Sequence, residues 1–454
     1  MKVVQLFPNM NLEKRINKTI VGSVNIQNVL SSYKLADIFK LKTPAEHCLR
    51  RIEGSFATVA DTKDFLELDY EQVAKILGSS ALEIFSEVQV FRAADLWLKH
   101  NFVERKSYEK QLLLKVRVKF LSEHALKYIQ RENSAFSNAK SSVEMLIKLD
   151  ENVLKTKSSS YHSRRYCNRD NLNFLTYGGI EESGIKVTDV SLIDGRSFKT
   201  LKTLAPLMKT RYRSKAVVIK DEIYILDGCY NCVSPITSLE RYSFKTNAWD
   251  NVTDMYDHRN SFSACAFIDS VFVMGGYYSA YNRTNSCLKF DTKLKNWKIV
   301  SSMHEARDRS ASAVFQSNII ISGGIGDNNN PLKSVESYDV FADEWKQMPE
   351  MINGKYDHKL VATKNKLFVI HNVLSHCELF DSFSNKFVTF REPSLYFQRE
   401  TWLKYVFSIG NKLIFFHSRK KSVFTYDTLE NKWCKKYLQS KMGYYFTCVQ
   451  IPWL

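Results

Sequence analysis

The 454-residue sequence contains no run of the ~20 apolar residues that a membrane-spanning helix requires; stretches such as Leu112–Leu114 and Val271–Met274 stop far short. The opening MKVVQLFP is interrupted too early to form the apolar core of a secretory signal. No membrane partner is expected. The default location is the cytoplasm, with the cytoskeleton and the nucleus as alternatives. No disulfide framework is indicated either: the nine cysteines are odd in number and scattered from Cys48 to Cys448, as free, mostly buried thiols of an intracellular chain are. Cys229 and Cys232 form one CxxC, but no second pair or nearby ligand cluster completes a zinc site, so no metal is expected. Also missing are GxGxxG, P-loop, HExxH and GxSxG signatures. Without them the chain reads as non-enzymatic, with no catalytic residues and no cofactor.

What is present is ordinary for a globular protein: 44% hydrophobic and 25% charged residues, in a chain long enough for two or three domains. Aromatics reach 13%, which favours β-structure, where flat rings pack on pleated surfaces. The net charge is +17, but the basic residues are dispersed, and the densest runs, Arg164-Arg165 and Arg419-Lys420-Lys421, are short. A solvated basic face accounts for them. An acidic protein partner comes next, and a nucleic-acid partner is not favoured.

A repeat organises the C-terminal region from Asn171 onward. Gly178-Gly179, Gly275-Gly276 and Gly323-Gly324 each follow a short apolar run, and Asp227-Gly228 stands where a fourth doublet belongs. The step is 48 or 49 residues, and it continues to Asn372 and, 46 further on, Ser418. Trp249, Trp297 and Trp345 recur at the same step of 48; Phe387 and Trp433 continue the series, and Phe198 is its expected first member. A Met followed by an Arg recurs as Met208/Arg211, Met255/Arg259 and Met303/Arg307. A unit of this length accommodates four strands and their turns. One such sheet cannot bury both faces alone, whereas radially stacked sheets can. The doublets suit strand ends where a Cβ would be forbidden, and the Trp rings suit the wedge between neighbouring sheets. The pattern resembles the Kelch repeat, and six units imply a six-bladed propeller over 171–454. The first unit is short of an innermost strand, and the spare run Tyr444–Ile451 is expected to complete it and close the ring. His258, His304 and His358 roughly follow the repeat, as rim or packing residues rather than a catalytic set.

The N-terminal part has a helical period instead. Val29, Tyr33, Ala36 and Phe39 form one stripe, Val73, Ile76 and Leu77 another, and Val88, Phe91, Ala94 and Trp97-Leu98 a third. The stretches Asp64–Leu68, Ser86–Phe91, Ala94–Leu98, Glu104-Arg105, Lys115–Arg117 and Phe120–Ser122 resemble the BACK domain. The chain therefore resembles the BTB–BACK–Kelch family, with the BTB domain largely missing at the N-terminus. The expected organisation is a remnant of the last BTB helices over 1–50, an all-helical BACK-like domain over 51–130, a helical or linker segment over 131–170, and the propeller over 171–454.

The resemblance implies a substrate-specific adaptor of a cullin-3 RING ubiquitin ligase, with cullin-3 held through BTB and BACK and the protein substrate held by the propeller. The missing BTB surface puts cullin binding in question, and an actin-binding cytoskeletal organiser is the alternative. In the family, the positions just after the repeat's Arg and just after the glycine doublet face the pocket mouth. Carried onto this sequence, the first set is Tyr212, Asn260, Asp308, Tyr356 (after Lys355) and Trp402. The second is Cys229, Tyr277 and Ile325, with Tyr278, Tyr281 and Arg283 extending one loop.

Overall fold

A computed structural model describes residues 10–131, 173–178, 187–195, 197–211, 214–226, 238–255, 257–278, 282–363, 366–371, 377–390, 403–409, 412–417, 422–428, 430, 432–437 and 447–451. The chain divides into two units, Met1–Cys167 and Asn168–Ile451. The described residues of the first are helical, and those of the second form strands and turns. No helix among the described residues is long and apolar enough to cross a membrane.

In the helical unit, helix α1 covers Met10–Ser23, α2 Val29–Ile38, α3 Lys42–Gly54, α4 Tyr70–Gly78, α5 Glu87–His100 and α6 Glu123–Arg131, with short helical turns between them. Two of these helices start where their sequences dictate. Asp69 accepts from the Gln72 amide at 2.9 Å while the Gln72 side chain reaches back to the Asp69 N–H, and Ser86 with Gln89 repeats the device at α5. The apolar stripes then meet: Val73, Ile76, Leu77, Val88, Phe91, Ala94 and Leu98 are all buried. Trp97 is buried with its indole N–H donating to the Leu68 carbonyl at 2.9 Å. The Arg105 guanidinium lies 4.0 Å from the Trp97 ring centroid and donates to the Trp97 carbonyl at 2.7 Å.

In the second unit, the described strands form six four-stranded antiparallel sheets. A representative blade, the fourth, consists of Ala311–Phe315, Asn318–Ser322, Val335–Asp339 and Glu344–Met348 from inside to outside. The six inner strands are Thr447–Ile451 (blade 1), Lys215–Ile219 (blade 2), Ser263–Phe267 (blade 3), Ala311–Phe315 (blade 4), Lys359–Ala362 (blade 5) and Leu403–Ile409 (blade 6). Each lies against the next, and Thr447–Ile451 lies against the inner strands of both blade 6 and blade 2, so the ring closes. As expected, the last strand completes the first blade: Thr447 pairs with Tyr177, and the antiparallel register runs on to Ile451 opposite Asn173.

The outer half of five blades rests on one repeated cross-strand pair: Tyr242–Trp249, Phe290–Trp297, Tyr338–Trp345, Phe380–Phe387 and Tyr426–Trp433 lie opposite one another in register. Their ring centroids are 4.9 to 5.1 Å apart. The indoles of Trp249 and Trp345 also donate to the preceding blade, at Ala205 O (2.9 Å) and Ser301 O (2.8 Å).

Two sequence expectations need correction. Phe198 fills the wedge between its own blade and the preceding one, as these rings do, but not from the outer strand. It sits in a turn at φ +55° and fills the core between the last and first blades, with Phe174 and Phe416. Met208 is 56% exposed and does not belong to the recurring Met positions. The packed residue is its neighbour: Leu207, Met255, Met303 and Met351 are all buried and stand 48 apart.

Candidate protein-binding face

The glycine doublets and the basic residue of each repeat form one latch. Gly323 and Gly324 have φ of +54° and +100°, torsions that a side chain would strain. A Cβ on Gly323 would collide with the Lys355 carbonyl, and one on Gly324 would lie 2.5 Å from the Asp308 carbonyl. This bare backbone lets the Gly324 N–H donate to Lys355 O at 2.7 Å, joining blade 4 to the loop that leads into blade 5. Gly276 N–H bonds Arg307 O in the same way at 2.8 Å. The recurring Met fills the remaining space, with Met303 and Met351 placed against Gly275 and Gly323.

The side chain of each basic residue turns inward. Arg307, buried, donates to Gly323 O (2.9 Å), Ser334 O (3.2 Å) and the buried Glu336 carboxylate (2.6 Å). Burial holds the Arg307 guanidinium below its usual pKa against the opposing pull of Glu336. Arg211 likewise pairs with Glu240, and Lys355 with Glu378. Blade 3 departs from the pattern, because Leu288 occupies the position of the glutamate. There Arg259 pairs with Asp257, bonds Ser286 O (2.9 Å) and Ser286 Oγ (2.8 Å), and lies 3.3 Å from the Tyr278 hydroxyl, which itself donates to Asp257 at 3.0 Å. The glutamates escaped sequence reading, although Glu240 and Glu336 stand two steps of 48 apart and Glu378 follows 42 further on, the interval that also separates Trp345 from Phe387.

Because the latch binds the doublet to the loop leading into the next inner strand, the two expected sets of face residues share one end of the blades. In blades 3 and 4 they are directly paired. Asn260 and Tyr277 exchange backbone hydrogen bonds of 2.8 and 3.0 Å, and Asp308 and Ile325 exchange bonds of 3.1 and 2.9 Å. Tyr277 also bridges to Arg283, whose Nε lies 3.5 Å from Asp308 Oδ1. Asn260, Tyr277, Arg283, Asp308 and Ile325 thus form a continuous band across two blades. Arg283 and Asp308 are only 4% exposed and face each other, so they brace the band rather than project from it. Burial raises the Asp308 carboxyl against the lowering effect of Arg283 and Arg309. Tyr356 is 40% exposed on the next loop. Tyr212, Cys229, Tyr281 and Trp402 lie outside the described residues, as does Cys232.

The three repeat-spaced histidines have unrelated environments. His258 is exposed, His304 Nδ1 sits 2.8 Å from Glu336, and His358 is buried with Nε2 2.7 Å from Ser322 Oγ. Burial pushes His358 down to about 3, assisted by Lys359 and Lys355. Among the described residues no group of three or more His, Cys, Asp or Glu is gathered to hold a metal ion.

Comparison with known proteins bears on both units. Residues 29–131 match the family model of BACK (BTB And C-terminal Kelch), a match that includes α2 and α3. The Kelch motif matches 210–256, 258–304 and 306–352, which are blades 2 to 4. Kelch-like protein 9 of Mus musculus is 23% identical over 260 residues, 54% of this chain and 41% of that protein. Kelch repeat and BTB domain-containing protein 3 of Homo sapiens is 30% identical over 115 residues, 25% of this chain and 19% of that protein. Kelch-like protein 35 of Homo sapiens is 36% identical over 101 residues, 22% of this chain and 17% of that protein. Each match spans less than half the length of the relative concerned.

Proposed function

The chain joins a BACK domain to a Kelch propeller and its relatives are Kelch-like proteins; from that premise we propose that it is a non-enzymatic adaptor, the substrate-binding subunit of a cullin-3 RING ubiquitin ligase. The observation that carries the proposal is the braced band of Asn260, Tyr277, Arg283, Asp308 and Ile325 at one end of a closed propeller. Such a band is a rigid platform, and rigid platforms lose little conformational entropy on binding. Tyr277 and Tyr356 offer the aromatic anchors that dominate protein interfaces. The surplus of positive charge favours an acidic client and speeds its encounter. The BACK domain, in this reading, serves the cullin.

The test is affinity capture of the full chain beside a Tyr277→Ala/Tyr356→Ala variant, with both eluates read for cullin-3 and for ubiquitin-modified proteins. Cullin-3 is expected in both eluates, and the modified proteins in the parent eluate alone. Captures without cullin, or co-sedimentation with actin filaments in its place, would overturn the ligase assignment. Equal recovery of clients by the variant would overturn the placement of the face.

A further inference from the structure

The loops that lead into the inner strands of blades 3, 4 and 5 repeat one backbone device. Ser261, Arg309 and Asp357 stand 48 apart, each two residues before its inner strand, with φ of +54°, +51° and +53°. A side chain enters that region only at a cost. Hydrogen bonds between blades fix it there: the Arg309 N–H donates to Ser261 O at 2.8 Å, and the Asp357 N–H donates to Arg309 O at 2.9 Å. Because Ser261, Arg309 and Asp357 directly follow Asn260, Asp308 and Tyr356, they form an arc between the expected face residues and the inner strands.

The backbone of this arc is bound, but its charges are not. Arg309 and Asp357 are exposed, and among the described residues neither side chain has a hydrogen bond or an ion pair. They do not pair with each other, although one main-chain bond joins their residues. The Asp308 carboxylate next to Arg309 is buried and turned to Arg283. Asp357 attracts the Lys359 ammonium only from beyond ion-pair distance. From blade 3 to blade 5 the arc thus presents a hydroxyl, a guanidinium and a carboxylate. The bonds that build it are all main-chain, so packing of the repeat asks for no charge at these positions.

We propose that the arc reads charge in the client, with Arg309 taking a carboxylate and Asp357 taking an ammonium or guanidinium of the same extended segment. Hydrogen-bonded neighbours lie about 5 Å apart, and alternate side chains on one side of an extended chain about 7 Å apart. The acidic and the basic residue of the client therefore stand two positions from each other. The inference rests on the propeller face being the client site, as proposed above, and narrows the client to one that carries this ordered pair. Opposed charges supply orientation and discrimination more than affinity, since a segment threaded backwards would meet two like charges.

The probe is a displayed library of random dodecapeptides selected on the immobilised full chain. The parent should enrich an acidic and a basic residue two apart, in one order, over the starting library. Arg309→Glu should lose the preference for the acid and Asp357→Asn the preference for the base. The best parent peptide should bind Arg309→Glu about tenfold more weakly, because a like charge now faces its carboxylate. The exchanged variant, Arg309→Asp/Asp357→Arg, should enrich the opposite order. Arg309→Gln and Asp357→Asn should melt with the parent, since neither side chain has a partner to lose. An unenriched library, a motif without the charged pair, the same order from the parent and the exchanged variant, or early melting of both neutral variants would each overturn the assignment. Charge-blind selection with client and cullin-3 capture intact would remove this inference and leave the adaptor reading. Selection of the ordered pair by a chain that captures no cullin-3 would do the reverse.

Discussion

Replacing Glu336 with leucine leaves Arg307 buried beside an apolar side chain, at a site where both partners are fully shielded from solvent. Removing one member of a buried ion pair typically costs about 3–5 kcal/mol, because the remaining charge stays desolvated. Glu336 also accepts from the backbone N–H and the ring of His304, so the upper end of that range is expected. Glu305 touches the same guanidinium at 3.2 Å but is 45% exposed, and Glu305→Ala should cost less than about 1 kcal/mol. In blade 3 the order inverts, since Leu288 supplies no charge and Asp257 is the carboxylate on Arg259. Asp257→Ala should therefore approach the loss of Glu336→Leu. Urea unfolding followed by tryptophan fluorescence reads the propeller, which holds five of the seven tryptophans. If Glu336→Leu unfolds with the parent, or if Asp257→Ala and Glu305→Ala lose the same amount, the latch is not what couples the blades.

Trp345→Ala should cost about 3–5 kcal/mol, since it removes a buried ring and the bond from its indole to Ser301 O, and the same urea titration reads it. Deleting residues 447–454 removes the inner strand of blade 1 and should abolish cooperative unfolding of the propeller by calorimetry; an unchanged transition would refute ring closure by that strand. His358 should make stability fall in acid. Its folded pKa of about 3 lies below the unfolded value near 6.5, so the unfolded state binds the proton first, and the contribution is full above pH 6.5 and lost as pH falls toward 3. Between pH 7 and 5 the unfolding free energy should drop by about 2 kcal/mol from this group, and His358→Asn should remove that slope. A variant with the parent's slope would assign it elsewhere.

The propeller was legible because its units share chemistry at a fixed step: a doublet that cannot carry Cβ atoms, a large outer ring, and a buried cation. The same step resolves Leu207 from Met208, yet residue type pointed to the methionine. Two adjacent apolar residues can be told apart only when the strand ends are known. Phe198 fills the expected wedge, but from a turn rather than from the outer strand, a difference that spacing does not reveal. Blade 3 hides its own solution, since nothing in a repeat pattern says that Asp257 and Tyr278 replace a missing glutamate. The pairing of Arg283 with Asp308 was invisible because it joins loops of different blades. In the helical unit the capping pairs Asp69/Gln72 and Ser86/Gln89 are local signals, and the packed stripes of α4 and α5 follow directly from their period.

The division of labour between the two units is tested most directly by cross-linking mass spectrometry on the captured full-length complex. The adaptor account predicts cullin-3 cross-links to lysines within 10–131, and client cross-links clustered on the loops around Asn260, Tyr277, Asp308 and Tyr356. Client cross-links spread over the outer strands, or concentrated in the helical unit, would contradict it.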